Sequence, residues 1–468
     1  MNYTMEDTIA APASGMTKAG IGIIRISGSD ALKIADSIFV TGSGKKISDF
    51  KPNSIRHGYI TDKNNEKKDE VMVSYLKGPH SYTGEDTIEI NCHGGIYLIN
   101  RIMEIVTAAG ARPAEPGEFT RRAFLNGRID LSEAEAVMDV IGSNNERALK
   151  NSLGQLSGKL KHKIINIRKA VLYEIAHIES ALDDPEHFDL TGYPEELKQK
   201  LISYIRDIDN MKESYHNGRI MQEGARTAIL GKPNAGKSSL LNMLSGYERA
   251  IVTDIAGTTR DSIEESVSLG NVQLRLIDTA GIRETEDKVE RIGIERAEAA
   301  AKNADLIFFV FDSSLAIDDD DRMIADLINK MSDGQNVIAI LNKNDLDAVT
   351  TPEYIKLLFN NHKIPIISIS AKTGEGTDKL KAAVEDFFIN DNNSENEDVI
   401  ITNVRHRNEL EMAGKSLENV IESIDMGMAE DFFSIDLNAA YEHLGYIIGE
   451  EIGDDLVEEI FSKFCMGK

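Results

Sequence analysis

The sequence predicts a multidomain protein: an α+β domain at the N-terminus, an all-α domain discontinuous in sequence, and an α/β domain inserted between its two parts. Three changes of apolar period along the chain carry this reading. A length of 468 residues fits it, since about 150 residues per domain suggests roughly three domains. A polar, acidic stretch, INDNNSENED around residues 390–398, reads as a flexible connection between two periodic segments.

The first segment, about residues 1–125, mixes short β-rich runs with turns. IGIIRISG at 21–28 and DTIEINCHGG at 86–95 have strand character, and LINRIMEIVTAAG ending at Gly110 has helical spacing. Through 126–222 the spacing becomes three and four, as in EAEAVMDVI, KAVLYEIAHIESAL and ELKQKLISYIRDIDNM, with almost no glycine between Gly158 and Gly192. Across 223–390 strand-length apolar runs return, among them ARTAILG, VQLRLIDTAG, ADLIFFVFD, NVIAILNKND and IPIISISAKTG, separated by helical stretches, which is the alternation of a mostly parallel sheet. Helical periodicity resumes in 391–468, so the two helical parts are expected to pack together around the insertion. Two separate helical modules are the alternative.

Composition narrows the class. With 41% hydrophobic and 28% charged residues the chain is an ordinary globular one, without an apolar run of about 18 residues and with an acidic rather than basic start, so no membrane is expected and cytoplasmic location is. Two cysteines, Cys92 and Cys465, fit a reducing compartment and exclude a disulfide framework; Cys92 with His93 lacks the second cluster a zinc site needs. A formal charge of −26 opposes general binding to nucleic acid, so any RNA contact must be local. Candidate basic spots are Arg121, Arg122 and Arg128, and Arg405, His406 and Arg407; either also reads as a solvated face.

The chemistry sits in the inserted domain. GKPNAGKS at 231–238 follows the strand RTAIL and opens a helix, the context in which backbone N–H groups of Asn234, Ala235, Gly236, Lys237, Ser238 and Ser239 wrap a β-phosphate. Lys237 brings a point charge to the β- and γ-phosphates and Ser238 a hydroxyl ligand for Mg²⁺. Thr259 in GTT is the candidate threonine that closes on Mg²⁺ and the γ-phosphate. DTAG supplies Asp278, which holds Mg²⁺ through water, then Thr279, Ala280 and the γ-phosphate-sensing N–H of Gly281. NKND gives Asn342, Lys343 and Asp345; a carboxylate accepts from guanine N1–H and N2–H₂, donors that adenine does not pair. SAKTG brings Ser370, Ala371 and Lys372 to the guanine oxygen. Their joint order predicts a Ras-like P-loop GTPase domain that prefers GTP to ATP.

The position after Gly281 is Ile282, which cannot orient water, whereas Ras-type GTPases place glutamine there. Glu284, Glu286, Asp287 and Glu290 follow, and spacing alone singles out none.

The whole chain resembles the MnmE (TrmE) family of tRNA-modification GTPases. DTIAAPASGMTKAGIGIIRISG, SYTGEDTIEINCHGG, RPAEPGEFTRRAFLNGRIDLSEAEAVMD, TDIAGTTRD and the terminal FCMGK carry the likeness, with Met466 an apolar departure from the usual C-I-G-K. The resemblance implies a folate-binding-like N-terminal domain that also forms a homodimer. It implies action on tRNA with a FAD-dependent partner in a heterotetramer, adding an aminomethyl or carboxymethylaminomethyl group at C5 of wobble uridine. The one-carbon unit comes from 5-formyl- or 5,10-methylene-tetrahydrofolate, and FAD belongs to the partner. It implies K⁺-dependent pairing of the GTPase domains, with K⁺ held by Asn234 and by the loop Thr253, Asp254, Ile255, Ala256, Gly257 and Thr258, chiefly through Thr253, Ile255 and Thr258. Glu290 matches the family's water-orienting glutamate. Arg25, Glu89, Arg128 and Lys468 match its folate contacts, and Cys465 its terminal thiol.

Two other classes remain: a ribosome-assembly GTPase switch, which usually appends an RNA-binding module absent from this C-terminus, and a regulatory GTPase scaffold without folate chemistry.

Overall fold

The computed structural model describes residues 7–184, 187, 190–247, 265–277, 298–330, 336–359, 364–390, 399–450, 452–465 and 467. It divides into two compact units, Met1–Met138, Gln155–Ile202 and Met412–Lys468 forming one and Asp139–Gly154 and Ser203–Glu411 the other.

The first unit holds a seven-stranded sheet of β1 (Ile9–Pro12), β2 (Ile21–Ser27), β3 (Phe39–Val40), β4 (Ser54–Thr61), β5 (Lys67–Leu76), β6 (Thr87–His93) and β7 (Arg112–Pro113), ordered β3-β4-β5-β6-β2-β1-β7. The IGIIRIS run alternates as a half-buried strand should: Ile24 and Ile26 are fully buried while Ile21 is exposed. They pack with Val73, Ile88 and Ile90 against helices Ala31–Ile38 and Ile96–Ala108, whose Ile34, Ile99 and Ile102 point into the same core. Each such buried isoleucine contributes about 1.5–3 kcal/mol of transfer free energy.

In the same unit, helix Lys159–Asp183 packs on helix Asp431–Ile448, two segments remote in sequence. Arg168 joins them: its Nε donates to the Tyr441 carbonyl at 3.1 Å, its guanidinium lies 3.9 Å from the Tyr441 ring centroid, and it pairs with Glu450. Gly445 faces that guanidinium, and a Cβ there would sit 2.9 Å from Nη2, so the crossing is only as close as glycine permits. The fold is multidomain as expected, with an α+β N-terminal domain, an all-α domain interrupted in sequence and an inserted α/β domain.

The second unit is built on a six-stranded sheet of β8 (Ala225–Leu230), β9 (Glu265–Leu269), β10 (Val272–Leu276), β11 (Leu306–Asp312), β12 (Asn336–Asn342) and β13 (Ile366–Ser368), ordered β13-β12-β11-β8-β10-β9. All neighbours are parallel except β9 and β10. LIFFVFD forms β11 and is buried at every position, the signature of a central strand covered on both faces. Phe308 faces one apolar layer and Phe309 and Phe311 the other, with about 2–3 kcal/mol from burying each ring. Crossovers leave β8 between β10 and β11, which are not its neighbours in sequence; this reversal of strand order opens a crevice at the carboxyl ends of the strands.

Candidate nucleotide-binding site

The loop after β8 lies in that crevice. Gly231 has φ +149 and its missing Cβ makes room for the Val310 carbonyl of β11. Asn234 at φ +63 and Gly236 at φ +99 then turn the chain into helix Lys237–Tyr247, so successive N–H groups converge ahead of the helix N-terminus. Ser238 and Ser239 are exposed in its first turn, and Asn234 is exposed on the loop. The Lys237 ammonium rests on two carbonyls of its own loop, Gly231 at 2.7 Å and Lys232 at 2.9 Å, and burial pushes its pKa down from the usual lysine value. Both partners are neutral dipoles, so a phosphate anion in the loop is a stronger acceptor for the same ammonium. The cradle, the helix end and the cation together fit a nucleotide with its Mg²⁺.

The loops after β12 and β13 close on this one. Asn342, buried at the end of β12, donates from Nδ2 to the Ala235 carbonyl at 3.0 Å and accepts at Oδ1 from the Ala371 N–H at 3.0 Å. Asp345 Oδ1 accepts from the buried Ser370 hydroxyl at 2.7 Å, a bond that holds its pKa below the ordinary aspartate value. Lys343 adopts φ +63 and pairs with Asp312 at 2.6 Å. Burial raises the Asp312 pKa, but Lys343 and the Ser314 hydroxyl and N–H win and hold it below the usual range. Lys372 is exposed beside Ala371. Asn234, Ala235, Gly236, Lys237, Asn342, Asp345, Ser370 and Ala371 are thus gathered at one end of the sheet from three separate loops. Asp312 was missed in the sequence because an aspartate ending a strand carries no spacing signal.

Thr253, Asp254, Ile255, Ala256, Gly257, Thr258, Thr259, Asp278, Thr279, Ala280, Gly281, Ile282, Glu284, Glu286, Asp287 and Glu290 lie outside the described residues, as do Met466 and Lys468.

In the first unit, Arg25 and Glu89 are cross-strand partners on β2 and β6. Glu89 Oε1 accepts from Arg25 Nε at 2.9 Å and lies 2.8 Å from Nη2, while Arg25 Nη1 donates to the Gly467 carbonyl at 3.2 Å. The guanidinium lies 5.3 Å from the Tyr82 ring centroid and 5.6 Å from that of Phe119. Arg128 donates from Nε to the carbonyl of Ser81, next to Tyr82, at 3.0 Å and is otherwise exposed. The tail reaches this place because Gly117, at φ +70, donates to the Cys465 carbonyl at 3.3 Å. Cys465 is half-buried and its thiol is free.

The basic spots are not continuous surfaces. Arg122 is buried and pairs with Glu118 and Glu85 at 3.2 and 3.1 Å, and His406 is buried in contact with Arg405. Among the described residues no group of three His, Cys, Asp or Glu side chains is placed to hold a metal. No described helix is long and apolar enough to cross a membrane.

A phosphate cradle after the central strand, a buried asparagine bridging it to the loops after β12 and β13, and an exposed aspartate ready for a base edge define a P-loop protein of the GTPase class. Residues 8–128 match the family described as GTP-binding protein TrmE N-terminus, and residues 131–465 match the MnmE helical domain. A protein of Lachnoclostridium phytofermentans named tRNA modification GTPase MnmE is 52% identical over 463 residues, 99% of both chains. Proteins of the same name from Geobacillus thermodenitrificans and Clostridioides difficile are 44% and 43% identical, each alignment covering 99% of this chain and 100% of the relative. The chain belongs to the MnmE family.

Proposed function

We propose that this chain hydrolyses GTP in the service of tRNA modification. The bridge that Asn342 makes between the phosphate loop and Ala371 carries the reading, because it ties phosphate binding and base recognition into one rigid site. Lys237 moves from its two carbonyls to the phosphates, and Asp345 accepts the N1–H and N2–H₂ of guanine with its carboxylate held ionised by Ser370. Ser238, Thr259 and Asp278 would hold Mg²⁺, which would offset the charge of the phosphates. Asn234, Thr253, Ile255 and Thr258 would hold K⁺, which would supply positive charge when two GTPase domains pair. Glu290 orients the attacking water in place of the side chain that Ile282 lacks.

The finer reading assigns 1–125 to tetrahydrofolate binding and dimerisation, 126–222 and 391–468 to the helical domain, and 223–390 to the GTPase domain. Arg25, Glu89, Arg128 and Lys468 hold 5-formyl- or 5,10-methylene-tetrahydrofolate, which supplies the one-carbon unit. A homodimer joined to a FAD-dependent partner as a heterotetramer then installs an aminomethyl or carboxymethylaminomethyl group at C5 of wobble uridine, in the cytoplasm. The gathering of Arg25, Glu89 and the Gly467 carbonyl under Tyr82 supports it.

The test is GTP hydrolysis in K⁺ against Na⁺ for the wild type, Asn234→Ala and Glu290→Ala. Stimulation by K⁺ that disappears in Asn234→Ala, and a rate loss of about 10²–10⁴-fold in Glu290→Ala, are expected. Equal rates in both salts sink the cation mechanism. Calorimetry that detects no binding of 5-formyltetrahydrofolate would favour the scaffold class instead.

A further inference from the structure

Lys232 occupies one of the four positions that the phosphate-loop pattern leaves unspecified, and the structure gives it a definite task. Its side chain is only 8% exposed, and its ammonium lies 2.8 Å from Asp318 Oδ2 and 2.8 Å from Asp321 Oδ2. Those two aspartates cap helix Asp319–Lys330 reciprocally: Asp321 N–H donates to Asp318 Oδ1 at 3.2 Å, and Asp318 N–H donates to Asp321 Oδ2 at 3.3 Å. The lysine is therefore seated in the capping box of a helix that follows β11. With two carboxylates around it, its charge is already matched and adds no net attraction for a nucleotide.

The consequence falls on the main chain. The Lys232 carbonyl is one of the two on which Lys237 rests, at 2.9 Å. Three residues on, the Ala235 carbonyl accepts from Asn342 Nδ2. Buried Lys232 and buried Ala235 thus pin the loop at two points, leaving only Pro233 and Asn234 exposed between them. Pro233 has a fixed φ, and Asn234 sits at φ +63, so the path between the pins has little freedom.

We propose that Lys232 is a positioning residue for phosphate binding: clamped by Asp318 and Asp321, it fixes the first half of the loop that receives the β-phosphate. This rests on the reading of the loop as a GTP site. Removing the ammonium leaves the nearly fully buried Asp321 without its cation, and the loop loses its first pin.

Full-length Lys232→Met, Lys232→Arg, Asp318→Asn and the double variant Lys232→Met/Asp321→Asn test it through three measurements. These are the Kd for GDP by calorimetry, the ³¹P chemical shifts of bound GDP, and the melting temperature without nucleotide. Lys232→Met is expected to raise Kd roughly ten-fold and to move the β-phosphate resonance more than the α-phosphate. Lys232→Arg should restore both, and the double variant should be no worse than Lys232→Met, since the two changes remove one pair. Asp318→Asn, which keeps the pair with Asp321, shifts Kd in the same direction by less, and it decides the matter if Lys232→Met does not fold. An unchanged Kd and β-phosphate shift, whatever the melting temperature, reduce Lys232 to a helix anchor and overturn the proposal alone. A wild type that does not bind GDP overturns the nucleotide reading with it.

Discussion

Asn342 Nδ2 donates to the Ala235 carbonyl at 3.0 Å across 107 positions of sequence, so the residue that begins NKND also holds the loop after β8. Its Oδ1 accepts from Ala371 N–H, and the side chain is 2% exposed. Asn342→Ala deletes both bonds and leaves the buried Ala235 carbonyl and the half-buried Ala371 N–H unpaired, at about 1–3 kcal/mol for the first and less for the second. The Kd for GDP should rise by roughly ten-fold or more, read by calorimetry.

Asp345→Asn replaces an acceptor with a side chain that can donate. Guanine offers an amino group at C2 and xanthine a carbonyl, so the variant should lose GTP and gain XTP, with the ratio of affinities moving by about 10²-fold or more. Competition between the two nucleotides for the same protein measures it; an unchanged ratio would mean that Asp345 does not face the base.

How much of this was legible beforehand varied with the kind of signal. The IGIIRIS, TIEINCH and LIFFVFD strands announced themselves because burial on one or both faces writes period-2 or continuous apolar runs into the sequence. The hairpin of β4 and β5 did not, because KKDEVMVSYL opens on charged residues and its turn is set by Asp62, whose Oδ1 accepts from Asn64 and Glu66 N–H. Asn342, Asp345 and Lys237 stood out in the sequence because each answers a fixed demand of a nucleotide, and the structure gathers them at one end of the sheet. Lys232, Asp312 and Arg168 were not, since each acts through partners 31 to 282 positions away that nothing local specifies.

Glu118 is buried between Arg112 and Arg122, at 2.7 and 3.2 Å. Burial raises its pKa, but the Arg112 hydrogen bond, the Glu115 N–H and both guanidinium charges hold it below the usual glutamate value of 4.5. A depressed folded pKa means that its stabilisation is present above about pH 4.5 and is lost as pH falls through the folded value. Glu118→Gln takes the shared carboxylate from Arg112 and Arg122, which keep Asp7 and Glu85, and should cost about 1–3 kcal/mol at pH 7, with a smaller difference from the wild type at low pH; urea unfolding at the two pH values checks both.

Cys92 is buried on β6 and its pKa is pushed up to about 11, first by burial and then by the charge of Asp69. The folded state therefore favours the neutral thiol: this stabilisation is whole below the unfolded value of 9.0 and is lost as pH rises towards 11. Cys465 is half-buried and should react first with a thiol reagent at pH 8, Cys92 only after unfolding. Gly117→Ala, whose Cβ would collide with the Phe461 carbonyl at φ +70, should loosen the tail and speed labelling of Cys465.

The hydrogen bond from Arg25 to the Gly467 carbonyl spans 442 positions. A ribosome adding about 5–20 residues per second needs roughly 20–90 seconds to travel that far. Throughout that interval the N-terminal sheet can form, yet Arg25 lacks its carbonyl partner on the tail. Synthesis thus begins with Arg25 and its partner Glu89 and must run on to Gly467 before the last of the guanidinium's partners is in place.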